Sequence, residues 1–264
     1  MAYPEVALHC GETEVKIAPE RGALITSLTV AGRELLYLDR ETFDDPALNV
    51  RGGIPVLFPN AGRLLDDRFD LAGTTLRQHG FARAKKWRVT EKSDDRIRLV
   101  LDRDEEIRGS FPFSFSAEIT VLVLPHGLQT ELLVMNLGDA PIPISPGWHP
   151  YFACPADAKA EVSCDLPEFM PESMKDLPDF DTSFGLIPPL TGRGIFNIPG
   201  IGNLALSFSP EMHHLQFWSQ PGRDFVCIEP FAGPPNALNV DNQRLVVPPH
   251  RGRLLFFRIE LPAS

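Results

Sequence analysis

The stretch FSFSAEITVLV, Phe113 to Val123, alternates strictly between two kinds of side chain. Phe113, Phe115, Ala117, Ile119, Val121 and Val123 fall on one side, and Ser114, Ser116, Glu118 and Thr120 on the other. Successive side chains of an extended chain point to opposite faces, so this is a strand with one buried face and one wet face. The carboxyl-terminal run reads the same way: Leu255, Phe257, Ile259 and Leu261 alternate with Phe256, Arg258 and Glu260.

Between these two, the period-two pattern predicts further strands at Glu14–Ile17, Ala23–Val30, Trp87–Lys92, Arg96–Asp102, Leu128–Met135, Leu204–Phe208, Leu215–Trp218 and Phe225–Glu229. No segment longer than about ten residues carries a helical stripe. Short helices are expected only around Pro46–Asn49 and Glu172–Leu177. The chain has 26 prolines in 264 residues, about twice the usual share. Proline lacks an amide donor and is excluded from helix interiors, so it marks turns and strand ends. Many short strands punctuated by Pro and Gly predict an all-β sandwich or barrel.

Length and composition fit one large domain over residues 1–264, with 43% apolar and 23% charged residues near globular averages. The formal net charge is −10, from 25 Lys and Arg against 35 Asp and Glu, with no basic block. Nucleic-acid binders carry a basic patch that releases counterions from phosphates, so no nucleic-acid partner is expected. The amino terminus lacks the basic and apolar regions of a signal peptide, and the apolar run Ile119–Leu124 is far too short for a bilayer. A cytoplasmic protein, monomer or homodimer, with no membrane partner is expected. Cys10, Cys154, Cys164 and Cys227 show no CxxC spacing and read as reduced thiols. The stretch Asp165–Gly202 is the least regular, with six prolines, and loops this long are more often functional than idle.

Four stretches pack ionisable residues between Gly, Pro and aromatics: GGIPVLFPNAGRL (Gly52–Leu64), QHGFAR (Gln78–Arg83), SPGWHPYF (Ser145–Phe152) and CIEPFAGPPNALN (Cys227–Asn239). Gly and Pro fix backbone shape, and aromatics offer flat apolar walls. Sugars present apolar C–H faces with a polar hydroxyl rim, which suits such a lining. Taken alone, Glu229 reads as a strand-end glutamate, His149 and His79 as hydrogen-bonded structural histidines, and Arg63 as a solvated loop arginine. No HExxH, GxSxG, P-loop or GxGxxG pattern is present, and His213 and His214 would point to opposite faces of a strand. Neither a metal nor an organic cofactor is expected.

In this order the four stretches resemble the aldose 1-epimerase (galactose mutarotase-like) family, most closely its branch with HGFAR, GWHPYF and EPxxGPxNAL segments. The resemblance runs from about Gly22 to the last strand. It implies a large antiparallel β-sandwich with an open active site, and interconversion of the α and β anomers of a hexose without cofactor. It puts the general base on Glu229 and the general acid on His149. Substrate binding falls on His79, Arg63 and, on a weaker local match, Asp181. The alternatives are a hexose-6-phosphate mutarotase and a non-catalytic carbohydrate-binding protein. Between a neutral and a phosphorylated sugar, the acidic chain favours the neutral one through long-range repulsion. Arg51, Arg63 and Arg83, in or beside the motifs, would reverse that preference if they converged.

Overall fold

The computed structural model describes residues 3–165 and 192–262, and the backbone alone of 181–185. The alternating stretch forms the strand Phe115–Leu124 at the heart of an eight-stranded sheet. It pairs antiparallel with Gly127–Asn136 from Phe115 opposite Asn136 to Leu124 opposite Gly127, and on its other side with Arg96–Leu101. The sheet runs in the order Ser163–Cys164, Arg193–Ile198, Gly202–Phe208, Gly252–Glu260, Gly127–Asn136, Phe115–Leu124, Arg96–Leu101, Trp87–Lys92.

A second sheet has six strands. Its path is Asp181–Gly185, His214–Trp218, Phe225–Phe231, Gly147–Trp148, Val56–Leu57, with Tyr151–Ala153 also paired to Phe225–Phe231. The amino-terminal strands Val6–Cys10, Thr13–Ala18, Leu24–Val30 and Arg33–Glu34 form a third, antiparallel sheet.

The large sheets meet through their apolar faces. Trp148 lies 6.0 Å from Phe257 and Phe217 lies 6.1 Å from Phe196, centroid to centroid. One contiguous core joins Ile119, Val121, Leu132 and Leu255 of the eight-stranded sheet to Val226 and Ile228 of the six-stranded one and to Val15, Ile17 and Leu28 of the third. Each such side chain contributes about 1.5–3 kcal/mol by leaving water. The architecture is all-β, as the period-two pattern predicts.

Among the described residues helix is confined to short pieces, and none falls at Pro46–Asn49. Pro46–Asn49 is turn and coil. The helix lies just before it, at Arg40–Asp44, where Asp39 caps the amides of Glu41 and Thr42. A second one, Glu105–Ser110, is capped by Asp104 and was missed. Each is only one or two turns long, too short to display a 3.6-residue stripe, and the capping aspartates were the available signal. Glu172–Leu177 lies outside the described residues. No described helix is long and apolar enough to cross a membrane.

Candidate active site

The strand Phe225–Phe231 is buried along its whole length. Val226 and Ile228 point into the shared core, whereas Phe225, Cys227, Glu229 and Phe231 point the other way. On the neighbouring strand, Trp218, Gln216 and His214 stand opposite Cys227, Glu229 and Phe231. Across the other edge Gly147 faces Phe231 and Tyr151 faces Cys227. A side chain at Gly147 would press a Cβ to 2.5 Å from the Phe231 ring and 2.7 Å from the Pro230 carbonyl oxygen. The glycine of GWHPYF therefore permits the close strand approach that carries His149 alongside Glu229.

The His149 Nε2 and Glu229 Oε2 atoms are 3.5 Å apart, with both side chains almost entirely removed from solvent. The Tyr151 ring stacks on the imidazole at 4.7 Å and 6°, and Trp218 meets its edge at 5.8 Å. Above the pair opens a cavity of about 610 Å³, lined among others by Arg51, Arg63, His79, Arg83, Gln216 and Trp218. A buried carboxylate costs several kcal/mol unless partners compensate, so this placement marks a site rather than a packing solution.

His79 approaches from the opposite wall, its ring 5.3 Å from that of His149. Its backbone is left-handed, with φ 70°, a conformation uncommon outside Gly and frequent at functional turns. The next residue, Gly80, also has positive φ, and a Cβ there would lie 2.2 Å from the Phe58 carbonyl oxygen. His79 Nδ1 is 2.7 Å from the Ala61 carbonyl. A carbonyl can only accept, so Nδ1 carries the proton and Nε2 keeps a lone pair. Burial, then the positive charge of Arg83, lowers the His79 pKa to about 3.

Three arginines converge on the cavity, and they differ in depth. Arg63 sits at the rim, 70% exposed, with its Nε 3.9 Å from Asp67. Arg83 is largely buried, which pulls its guanidinium pKa below the usual range. Arg51 lies 5.3 Å over the Trp218 ring, and its positive charge acts on the buried Tyr151 hydroxyl. The segment leading to Arg51 is itself clamped, because the buried Arg21 guanidinium donates to the carbonyls of Thr42, Asp45 and Leu48 at 3.1, 2.6 and 2.8 Å. The adjoining Gly22 amide donates to the Lys85 carbonyl at 3.0 Å, next to Arg83. One turn thus anchors both arginine-bearing segments.

These charges set the protonation of the site. Burial first, then His79, Arg83 and Arg51, push the His149 pKa well below its ordinary value. The imidazole is therefore neutral near pH 7 in the free cleft.

Glu229, His149, His79 and Arg63 all line one cavity, although Arg63 stays at its mouth. Asp181 stands opposite Trp218 on an edge strand, and its side chain lies outside the described residues. Arg51 and Arg83, which the sequence reading named only as partners of Arg63 in a possible phosphate pocket, also line the cavity, and Gln216 was missed. Arg51 and Arg83 adjoin or end the motifs, whereas Gln216 had only its alternation with Trp218 to betray it. Among the described residues, one group could hold a metal: His149, Cys227 and Glu229, with ligand atoms all within 4.8 Å of one another.

Comparison with known proteins agrees with this geometry. A family model described as aldose 1-epimerase matches residues 5–178, a span that holds Arg51, Arg63, His79, Arg83 and His149. The crystal structure of the Slr1438 protein from Synechocystis sp. PCC 6803 is 34% identical, covering 97% of this chain and 95% of that one, with a TM-score of 0.87. A galactose mutarotase-like protein from Lactobacillus casei ATCC 334 shares the fold at 19% identity and a TM-score of 0.76, covering 98% and 100% of the two chains. A Cenchrus ciliaris protein named "Putative glucose-6-phosphate 1-epimerase" is 28% identical over 133 residues, 46% of this chain. That match spans 38% of the relative's length. With more than half of its sequence matched by the family model, and the four motif stretches brought around one cleft, the chain belongs to the aldose 1-epimerase family.

Proposed function

We propose that the protein is a mutarotase, an isomerase that interconverts the α and β anomers of a hexose at the cleft beneath His79 and the three arginines. The observation that carries this reading is the buried Glu229 carboxylate 3.5 Å from His149 Nε2 on the floor of a sugar-sized cavity. Ring opening requires a proton to leave the anomeric hydroxyl while another reaches the ring oxygen. Glu229 is assigned the first transfer and His149 the second, and closure on the other face reverses both. Each positioned group is typically worth about 10²–10⁴-fold in rate. His79 Nε2 accepts from a sugar hydroxyl, Arg63 binds at the rim, and Trp218 supplies an apolar wall. Asp181 remains the candidate for a further hydroxyl contact.

His149 must be protonated to act as the acid, and the free cleft keeps it neutral. A phosphorylated sugar eases part of that obstacle, because its charge offsets Arg51 and Arg83, while burial and His79, the larger causes of the depressed pKa, remain. The ion pair formed by Arg63 with Asp67 leaves the two deeper guanidiniums for an anion. This favours a second reading, a hexose-6-phosphate 1-epimerase, over the preference for neutral sugar that net charge suggested. Local charge outweighs net charge here because salt screens the latter beyond about 8–10 Å. Free thiols at Cys10, Cys154 and Cys227 fit a reducing, cytoplasmic setting.

The test is NMR exchange spectroscopy on freshly dissolved glucose, galactose and glucose 6-phosphate at matched ionic strength. Catalysed anomerisation of any one supports the activity, and a more than tenfold advantage for the phosphate ester selects the second reading. No acceleration of any would remove the mutarotase assignment for these sugars.

A further inference from the structure

We propose that His149 Nε2, the Glu229 carboxylate and the Cys227 thiol together form a capture site for a thiophilic divalent cation such as Zn²⁺ or Cd²⁺, and that occupancy silences the catalytic pair. The inhibitory half rests on the roles given above to Glu229 and His149. The binding half stands on the geometry alone.

Cys227 is two residues before Glu229 on the same face of one strand, and its free thiol is fully buried beneath the cavity floor. The three candidate donor atoms lie within 4.8 Å of one another. Zinc bonds of roughly 2.0–2.3 Å place tetrahedral ligand atoms roughly 3.3–3.6 Å apart. The His149–Glu229 separation of 3.5 Å already matches that spacing, and the Cys227 thiol, packed beside Tyr151 and Phe225, must shift to close the remainder. An imidazole nitrogen, a carboxylate and a sulfur are a mixed donor set that zinc accepts and that Mg²⁺ and Ca²⁺, which demand oxygen, do not. His149 and Glu229 line the cavity, so an ion and a further ligand would reach the site from it, as in zinc sites that keep an open coordination position.

Charge decides whether such an ion can stay. Arg51 and Arg83 repel a free cation in the cleft, but binding releases the Cys227 proton to solvent. The thiolate and the Glu229 carboxylate then balance the two charges of the metal. The guanidiniums favour an anion over water as the fourth ligand. Lost in the same event are the Glu229 lone pair and the His149 Nε2 proton position, the two features that the anomeric proton transfers require.

Absorbance titration with Cd²⁺ tests binding without reference to activity, in a Cys10→Ser, Cys164→Ser background that removes the half-buried thiols. A thiolate-to-metal charge-transfer band is expected at one equivalent, absent with Mg²⁺ and lost in Cys227→Ser. Cys227→Ala serves as a second variant should serine disturb the buried strand. In parallel, Zn²⁺ is expected to inhibit anomerisation competitively with the sugar and reversibly with EDTA. Its potency should fall at least about tenfold in the Cys227 variants, each referred to its own metal-free rate. A band that persists without Cys227, or no band at all, overturns the site. Cd²⁺ held by Cys227 with turnover undiminished keeps the site, overturns its inhibitory role, and counts separately against the catalytic assignment.

Discussion

The strands Phe115–Leu124 and Phe225–Phe231 are both built on alternation, yet they solve different problems. In the first, alternate residues enter the core and the others, the buried Thr120 apart, are half-exposed, with Glu118 paired to Arg98 at 3.1 Å. In the second, both faces are buried, one against the apolar core and one under the cleft floor. A half-exposed, ion-paired glutamate costs little to maintain. The same residue at Glu229 is held against a desolvation penalty, and only chemistry explains its retention.

The sharpest way to break this contrast is to neutralise each glutamate. Glu229→Gln is expected to lower kcat by about 10²–10⁴-fold with the fold intact, and Glu118→Gln to leave turnover unchanged. Circular dichroism and NMR exchange rates check the two halves, and near-wild-type activity in Glu229→Gln would remove the acid–base assignment.

Core substitutions should reverse the pattern. Ile119→Ala, on the buried face of Phe115–Leu124, is expected to cost about 2–5 kcal/mol of stability in urea unfolding while kcat per folded molecule holds. A catalytic loss equal to that of Glu229→Gln would mean that the two sheets are not separable in function.

The arginines sharpen the comparison on the cleft side. Arg83→Met is expected to raise KM for glucose 6-phosphate by about 10–100-fold with much less effect on glucose. Equal losses for both substrates would point to a purely structural arginine and against a bound phosphate.

A last expected effect concerns pH. Burial lowers the pKa of His214 to about 4 and that of His79 to about 3, and both lie on the cleft side. Above the unfolded-state value of about 6.5, both states are neutral and stability is flat. As pH falls below about 6.5, the unfolded chain takes up protons that the folded one refuses, so stability declines toward about pH 4. The slope is about 1.4 kcal/mol per pH unit for each histidine. His214→Leu should remove one such contribution, measured as urea midpoints between pH 7 and pH 4. An unchanged slope would show that His214 titrates alike in both states.

The sequence by itself determined the sheet-forming segments, because a two-residue period is written directly in the order of side chains. Observed boundaries differ by a residue or two from expectation at Phe115–Leu124 and Gly127–Asn136, and agree at Trp87–Lys92. The motif stretches also carried Glu229, His149, His79 and Arg63 to one cleft, through family resemblance rather than through any local rule. Tertiary structure alone decided what their surroundings make of them. That Arg51 and Arg83 lie beneath the rim, that His79, His149 and His214 are kept neutral, and that Cys227 stands beside Glu229 and His149 all depend on desolvation and on distances across strands far apart in the chain. Side-chain order fixes which face a residue occupies, but pKa and charge balance follow from what the opposing strands bring within a few ångströms.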